Sequence, residues 1–298
     1  MDPHWDDLKV FLAVAREESL SGAGRVLKLD PATVGRRVAR LEEALDTLLF
    51  VKSPQGYSLS ASGDRLLEHG EQVEQAMRAA TDALAGASEG LAGQIRIGAP
   101  DGCANYLLPQ VCARITAENP DLDIQIVALP RVVNLTRREA DLAIAVSAPT
   151  AGRLLVQKIT DYKLHLVASR QYLRQAPALK TIDDLKGRPM IGYIPDMIFD
   201  AELDYLSELG VTRIALASNA VSVQLRLTAT GAGLCVGHDF ALPTHKQLRR
   251  VLVNQISLTR SFYLVRHQGD QRSERLNRIA SQLIEGLRAE VIRLEALA

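Results

Sequence analysis

The 298-residue chain contains no apolar run approaching 18 residues, so no membrane-spanning helix is expected. Its first stretch, MDPHWDDLKVFLAVAREE, is charged and amphipathic and lacks the layout of a secretory leader, which makes the cytoplasm the expected location. Cysteine is scarce: Cys103, Cys112 and Cys235 form no Cys-x-x-Cys pair, their odd count does not look like a disulfide framework, and no Cys/His cluster has zinc-ligand spacing. Net charge is missing as well, because 35 Lys and Arg balance 35 Asp and Glu. That excludes a non-specific polycation but leaves room for a local basic face. No G-x-x-x-x-G-K-[ST], H-E-x-x-H or G-x-S-x-G motif occurs. Gly231-Ala232-Gly233 is followed by Gly237, one residue late for a dinucleotide fingerprint, and it ends a helix instead of opening one. No enzymatic activity, no cofactor and no metal is therefore expected. With 47% hydrophobic residues and no low-complexity tract, the chain reads as globular, with two or three domains.

What is present begins with Asp30 to Leu45, DPATVGRRVARLEEAL. Asp30 is suited to cap a helix and Pro31 to occupy its first position. Val34, Val38, Leu41 and Leu45 form an apolar face, while Thr33, Arg36, Arg37 and Arg40 fall on another face without an acid among them. Alone, such a stretch also fits a solvated amphipathic helix; beside the right neighbours it suits the DNA major groove.

Those neighbours follow a definite order. Trp5, Leu8, Phe11, Leu12 and Ala15 predict a helix from about 5 to 17, and Ser21 is placed to cap a second over Gly22 to Lys28. Gly22 and Gly24 weaken helix propensity but suit closely approaching backbones. Leu49 to Lys52 and Tyr57 to Leu59 read as strands around the turn Ser53-Pro54-Gln55-Gly56. Three helices and a hairpin make a winged helix-turn-helix, over 1–62, with Lys52, Ser53, Gln55 and Tyr57 on the wing beside DNA.

The run from Phe11 to Gly63 resembles the N-terminal signature of LysR-type transcriptional regulators. The resemblance is carried by Phe11, Ser19-Leu20-Ser21, Val34-x-Arg36-Arg37-Val38, Leu41-Glu42, Leu49-Phe50 and Leu59-Ser60-x-x-Gly63. It implies that Ala32, Thr33, Arg36 and Arg37 meet base edges and that Ser21, Arg40 and Lys52 meet phosphates. Three positions depart from the pattern: Gly35 replaces the usual Ser, Gly24 the usual Ala, and Lys52 the usual Arg.

Ala61 to Ala87 has no proline, and Leu66, Gly70, Val73, Met77, Ala80, Leu84 and Ala87 recur at spacings of 4 and 3. The pattern fits either a heptad seam or an ordinary amphipathic helix packed on its own chain. The resemblance favours a dimerisation linker helix, and residues 63–93 are read as that helix plus a glycine-rich hinge.

From residue 94 onward strands alternate with helices, among them Tyr106 to Glu118, Phe199 to Leu209 and Arg272 to Leu294, the last with Leu276, Ile279, Leu283, Leu287, Val291 and Leu294 on one face. This alternation implies an α/β architecture with parallel sheets. The pattern restarts near residue 163, predicting sub-domains over 94–162 with 266–298, and over 163–265, with the chain crossing between them near 162 and 265. The order resembles the periplasmic-binding-protein-like effector domain of the same family, anchored by Arg96-Ile97-Gly98, Leu108-Pro109, Asn119-Pro120 and Asp141 to Ile144. The fold expected is thus an N-terminal, mainly helical winged helix-turn-helix joined by a long linker helix to an α/β effector-binding domain of two sub-domains. Ligands bind beyond the carboxyl ends of such strands. That rule selects Asp101, Gly102, Cys103 and Ala104, then Leu129 and Pro130, then Tyr193, Ile194 and Pro195, and finally Ser218, Asn219, Gly237 and His238.

Where relatives often open the first helix with a hydroxyl, this chain has Asp101. Its carboxylate either caps the helix or, if free, disfavours a plain carboxylate ligand and suits an amine or several hydroxyls. Cys103 near a helix N-terminus suggests a redox switch as an alternative to a small buried residue. The reading is a DNA-binding transcriptional regulator controlled by a small-molecule effector. Implied partners are double-stranded DNA, a second copy in a homodimer, homotetramers or larger assemblies, and RNA polymerase, with no membrane. A solute-binding or enzymatic C-terminal domain is the competing reading.

Overall fold

The computed structural model describes residues 3–53, 56–85, 90–128, 140–149, 154–211 and 213–298. The chain divides into two compact units, one built on Met1–Ala87 and one on Ser88–Leu135, Glu139–Gln268 and Arg275–Ala298.

The first unit contains α1 (Trp5–Glu17), α2 (Leu20–Leu27), α3 (Pro31–Ala44), β1 (Phe50–Ser53), β2 (Gly56–Leu59) and α4 (Ala61–Ala85). Phe11, Leu12, Val14, Ala23, Val34, Val38, Leu41, Leu49 and Phe50 form its buried core. Val34, Val38 and Leu41 anchor α3 there, each stabilising by about 1.5–3 kcal/mol through burial, and Leu45 packs at the edge. The two strands pair antiparallel, with Lys52 opposite Tyr57. Gly24 permits the close approach predicted for it: a Cβ there would lie 2.6 Å from the Leu29 carbonyl oxygen. The cap of α2 differs from expectation, since Ser19, not Ser21, accepts from the Gly22 amide at 2.8 Å. An N-cap oxygen must stand two or three residues before the amide it satisfies, and Ser21 already lies inside the helix.

The second unit is one mixed sheet with helices packed on it. In chain order it runs β3 (Gly93–Ala99), α5 (Asp101–Tyr106), α6 (Leu108–Glu118), β4 (Leu122–Ala128), β5 (Leu142–Ala145), β6 (Leu154–Ser169), α7 (Arg170–Gln175) and β7 (Met190–Gly192). Then come α8 (Tyr205–Glu208), β8 (Leu216–Ala217), α9 (Val221–Ala229), β9 (Leu234–His238), β10 (Leu248–Arg250), β11 (Leu258–His267) and α10 (Glu274–Glu295). The strand order is β4-β3-β5-β11-β6-β9-β7-β8, with β10 beside β6. Strands β4, β3 and β5 are parallel, and so are β9, β7 and β8. The long strands β11 and β6 run antiparallel between these halves. The predicted face of α10 is buried, with Ile279, Leu283 and Leu287 fully covered.

Two expected elements change. Phe199 to Leu209 is not one helix but a 3-10 turn, Ala201–Leu203, followed by α8. Asp200 accepts from the Glu202 amide and Asp204 from the Ser207 amide, so each aspartate starts a new turn. The expected helix from Tyr106 to Glu118 begins instead at Leu108, behind the separate helix α5.

Candidate functional site

In the first unit the exposed face of α3 is built from its cap. The Thr33 amide donates to Asp30 Oδ1 at 2.9 Å, and the Thr33 hydroxyl donates to Asp30 Oδ2. These bonds hold the Asp30 carboxyl below the usual carboxylate range. The same hydroxyl accepts from Arg36 Nη2 at 2.7 Å. Asp30, Thr33 and Arg36 therefore form a chain that orients an exposed guanidinium along the helix. Ala32 is exposed and Arg37 half-buried on this face.

Arg40 has a task inside the unit that the sequence did not reveal. Its Nε donates to Asp7 Oδ2 at 2.6 Å and its Nη2 to Asp7 Oδ1. Asp7, on α1, is 1% exposed, so Arg40 ties α3 to α1. Lys52 and Ser53 are exposed on β1, and the Lys52 ammonium lies 5.8 Å from the Tyr57 ring centre. The Tyr57 amide donates to the Glu18 carbonyl at 2.9 Å, which fixes the wing to the end of α1. Gln55 lies outside the described residues. Ser21 is exposed in the first turn of α2.

In the second unit the strand ends converge between α5 and α9. Asp101 Oδ2 accepts from the Ser222 amide at 2.9 Å, and Oδ1 from the Ser222 hydroxyl at 3.3 Å and from Asn105 Nδ2 at 2.9 Å. The carboxylate is thus engaged across the cleft, not free. Gly102 faces His238: a Cβ at Gly102 would lie 3.7 Å from His238 Cε1 and Nε2 and 3.9 Å from Val221 Cβ. His238 belongs to a group of rings. Tyr162 stacks on Phe262 with centres 4.2 Å apart and on His238 at 5.4 Å, while Phe240 and Tyr205 lie 5.0 and 6.1 Å from His238. Tyr193 lies 6.0 Å from Tyr205. Burial drives His238 down to about 3, which keeps the imidazole neutral, and it pushes Tyr162, Tyr193 and Tyr205 upward. A cavity of about 20 Å³ beside Tyr193 and Tyr205 has room for a single water.

Other predicted cleft residues have different surroundings. Leu129 and Pro130 lie outside the described residues. Cys103 is fully buried, and burial pushes its thiol well above the ordinary range, which removes the chemical basis for a thiolate switch. Ala104 is in the same core. Gly237 serves packing: a Cβ there would meet Val167 at 2.9 Å and Leu225 at 3.1 Å. Ser218 holds the approach to α9, its hydroxyl accepting from the Ala220 amide and its carbonyl from Gln224. Asn219 is half-buried, as is Ile194, which precedes the short turn Pro195–Met197. Sequence reasoning missed Tyr162, Tyr205, Ser222, Phe240 and Phe262. The signal available was the predicted crossing of two strands near 162 and 265, which brings Tyr162 against Phe262.

Comparison with known proteins gives a consistent picture. Residues 5–64 match the family described as bacterial regulatory helix-turn-helix protein, lysR family, and residues 88–288 match the LysR substrate binding domain. The HTH-type transcriptional regulator GltR of Bacillus subtilis is 27% identical over 261 residues, covering 86% of each chain. DmlR of Escherichia coli is 26% identical over 190 residues, 63% of this chain and 62% of its own. Among solved structures, CrgA, a LysR-type regulator from Neisseria meningitidis, superimposes with a TM-score of 0.59 at 22% identity, covering 95% of this chain and 98% of its own. LysG from Corynebacterium glutamicum, solved with its bound effector Arg, gives 0.62 at 16% identity, covering 97% and 98%.

Proposed function

Because this chain belongs to the LysR family of DNA-binding transcriptional regulators with an effector-binding domain, we propose that it reads a roughly palindromic operator as a homodimer. Two α3 helices enter successive major grooves, and a small molecule in the α5–α9 cleft sets the outcome. The observation that carries the DNA reading is the Asp30–Thr33–Arg36 chain, which presents an exposed guanidinium on an anchored helix. Arg36 and Arg37, with Ala32 and Thr33, take the base edges; Ser21, Arg40, Lys52, Ser53, Gln55 and Tyr57 take the backbone. Residues 63–93 serve as the dimer helix and hinge, and residues 94–298 as the effector domain. The protein acts in the cytoplasm, as homotetramers or larger assemblies beside RNA polymerase. Ligand control requires that the two arrangements of the dimer bind effector with different affinity.

The test begins by selecting the operator from random duplexes with the full-length protein. Arg36→Ala should then lower specific affinity by ~1–3 kcal/mol and leave binding to scrambled duplex much less affected. Equal losses on both duplexes would remove Arg36 from base recognition. A ligand that shifts the operator footprint supports the cleft reading.

A further inference from the structure

Among the described residues, the charges beside the cleft have partners inside the protein, whereas the buried group left without one there is neutral. Asp101 is satisfied by the Ser222 amide and hydroxyl in the first turn of α9, a helix of nine residues, and by Asn105. Arg260, 5.7 Å from the Tyr205 ring centre, pairs with Glu202 at 2.8 Å. By contrast, His238 Nδ1 has no hydrogen-bond partner among the described residues, although His238 is 4% exposed and sits among the buried Tyr162 and Tyr205. Their rings are in mutual contact, and the His238 ring lies against Gly102 of α5 and close to where Val221 opens α9. Free amides at the head of a helix bind anions; here a side chain of the protein is already there.

We propose that Asp101 is the internal occupant of the anion position at the head of α9, and that the cleft therefore takes a small uncharged ligand that meets the unpartnered His238. This rests on the effector-domain reading given above. A carboxylate ligand has to expel Asp101 or share the helix end with it, and two like charges in one desolvated site repel. A neutral ligand meets no such penalty and satisfies a buried imidazole that otherwise lacks a partner. Neutrality of His238 fits the same choice, because an imidazolium would invite an anion.

The experiment uses the full-length chain without DNA and reads thermal unfolding in matched salts. Asp101→Ala vacates the position, so acetate should stabilise the variant saturably, binding it about tenfold or more tightly than wild type, while acetamide has no such effect. Acetate acting alike on variant and wild type, or on neither, overturns the proposal. If Asp101→Ala does not fold in plain buffer, recovery of folded protein on dilution into acetate, and not into acetamide, supports it; equal recovery in both, or none, overturns it. On wild type, benzoate binding as tightly as benzamide or more tightly also overturns it. Failure of every ligand to alter operator binding would instead undo the regulatory reading and leave the acetate result standing, so the two failures are distinguishable.

Discussion

Thr33 uses one hydroxyl in two directions, donating to Asp30 and accepting from Arg36. Its value on α3 is then to orient Arg36 as much as to touch a base. Thr33→Val keeps the shape and removes the hydroxyl, so operator affinity should fall. The loss on adding Arg36→Ala should be smaller than in the wild-type background, and a double-mutant cycle on operator duplex measures this coupling. Additive losses would mean that Thr33 and Arg36 act separately.

His238 gives a second residue-scale prediction, set by pH. Its folded value of about 3 lies below the ordinary 6.5, so below 6.5 the unfolded chain binds the proton and the folded chain does not. Stability from this residue is complete above pH 6.5 and falls as pH drops towards 3, by at most about 1.4 kcal/mol per unit. His238→Phe should flatten that part of the stability profile in denaturant titrations from pH 7 to 4. A profile parallel to wild type would show that His238 is not desolvated. The exposed cationic stripe of α3 was legible in the sequence because it follows from helical spacing. The pairing of Arg40 with Asp7 was not, since the two are 33 residues apart and meet only when α1 packs on α3.

That pairing makes an element-scale prediction. If Arg40 served only phosphates, Arg40→Ala would weaken DNA binding and leave the fold alone. Because Arg40 pairs with Asp7 in the structure, the substitution instead leaves a buried Asp7 without its guanidinium, and unpaired buried charge is costly. Arg40→Ala should therefore lower the melting temperature of the free protein, and Asp7→Asn combined with Arg40→Ala should restore part of it. An unchanged melting temperature for Arg40→Ala would return the residue to a purely DNA-contacting role. Elements with strong periodicity, α1, α3 and α10, were readable within a few residues. The stretch from Phe199 to Leu209 was misread because its apolar spacing is helical, whereas Asp200 and Asp204 cap two separate turns. The aromatic group of the cleft is drawn from β6, β7, α8, β9 and β11 or the residues beside them. Local pattern cannot assemble those five segments; the sheet order does.

At the scale of the whole molecule, the restart of the strand–helix pattern near 163 anticipated two parallel halves, and the sheet adds the two long antiparallel strands between them. The helix after the wing shows how one apolar repeat serves two purposes. A Cβ at Gly70 would lie 3.1 Å from Leu8 and Leu12, so this part of the seam faces α1 of the same chain, and Leu66 packs there too. One turn further on, Val73 and Met77 are 47% and 57% exposed, at the spacing that continues the seam. The ordinary amphipathic reading holds for the first part, and the second is the face we assign to a second copy. Val73→Glu with Met77→Glu places charge on that face without touching the core of the first unit. Sedimentation should then find monomers, and operator affinity should fall by about a hundredfold or more, because two half-sites are no longer bound together. The melting temperature of the monomer's effector domain should stay near that of wild type. Persistence of the dimer at full operator affinity would move the interface off α4 altogether.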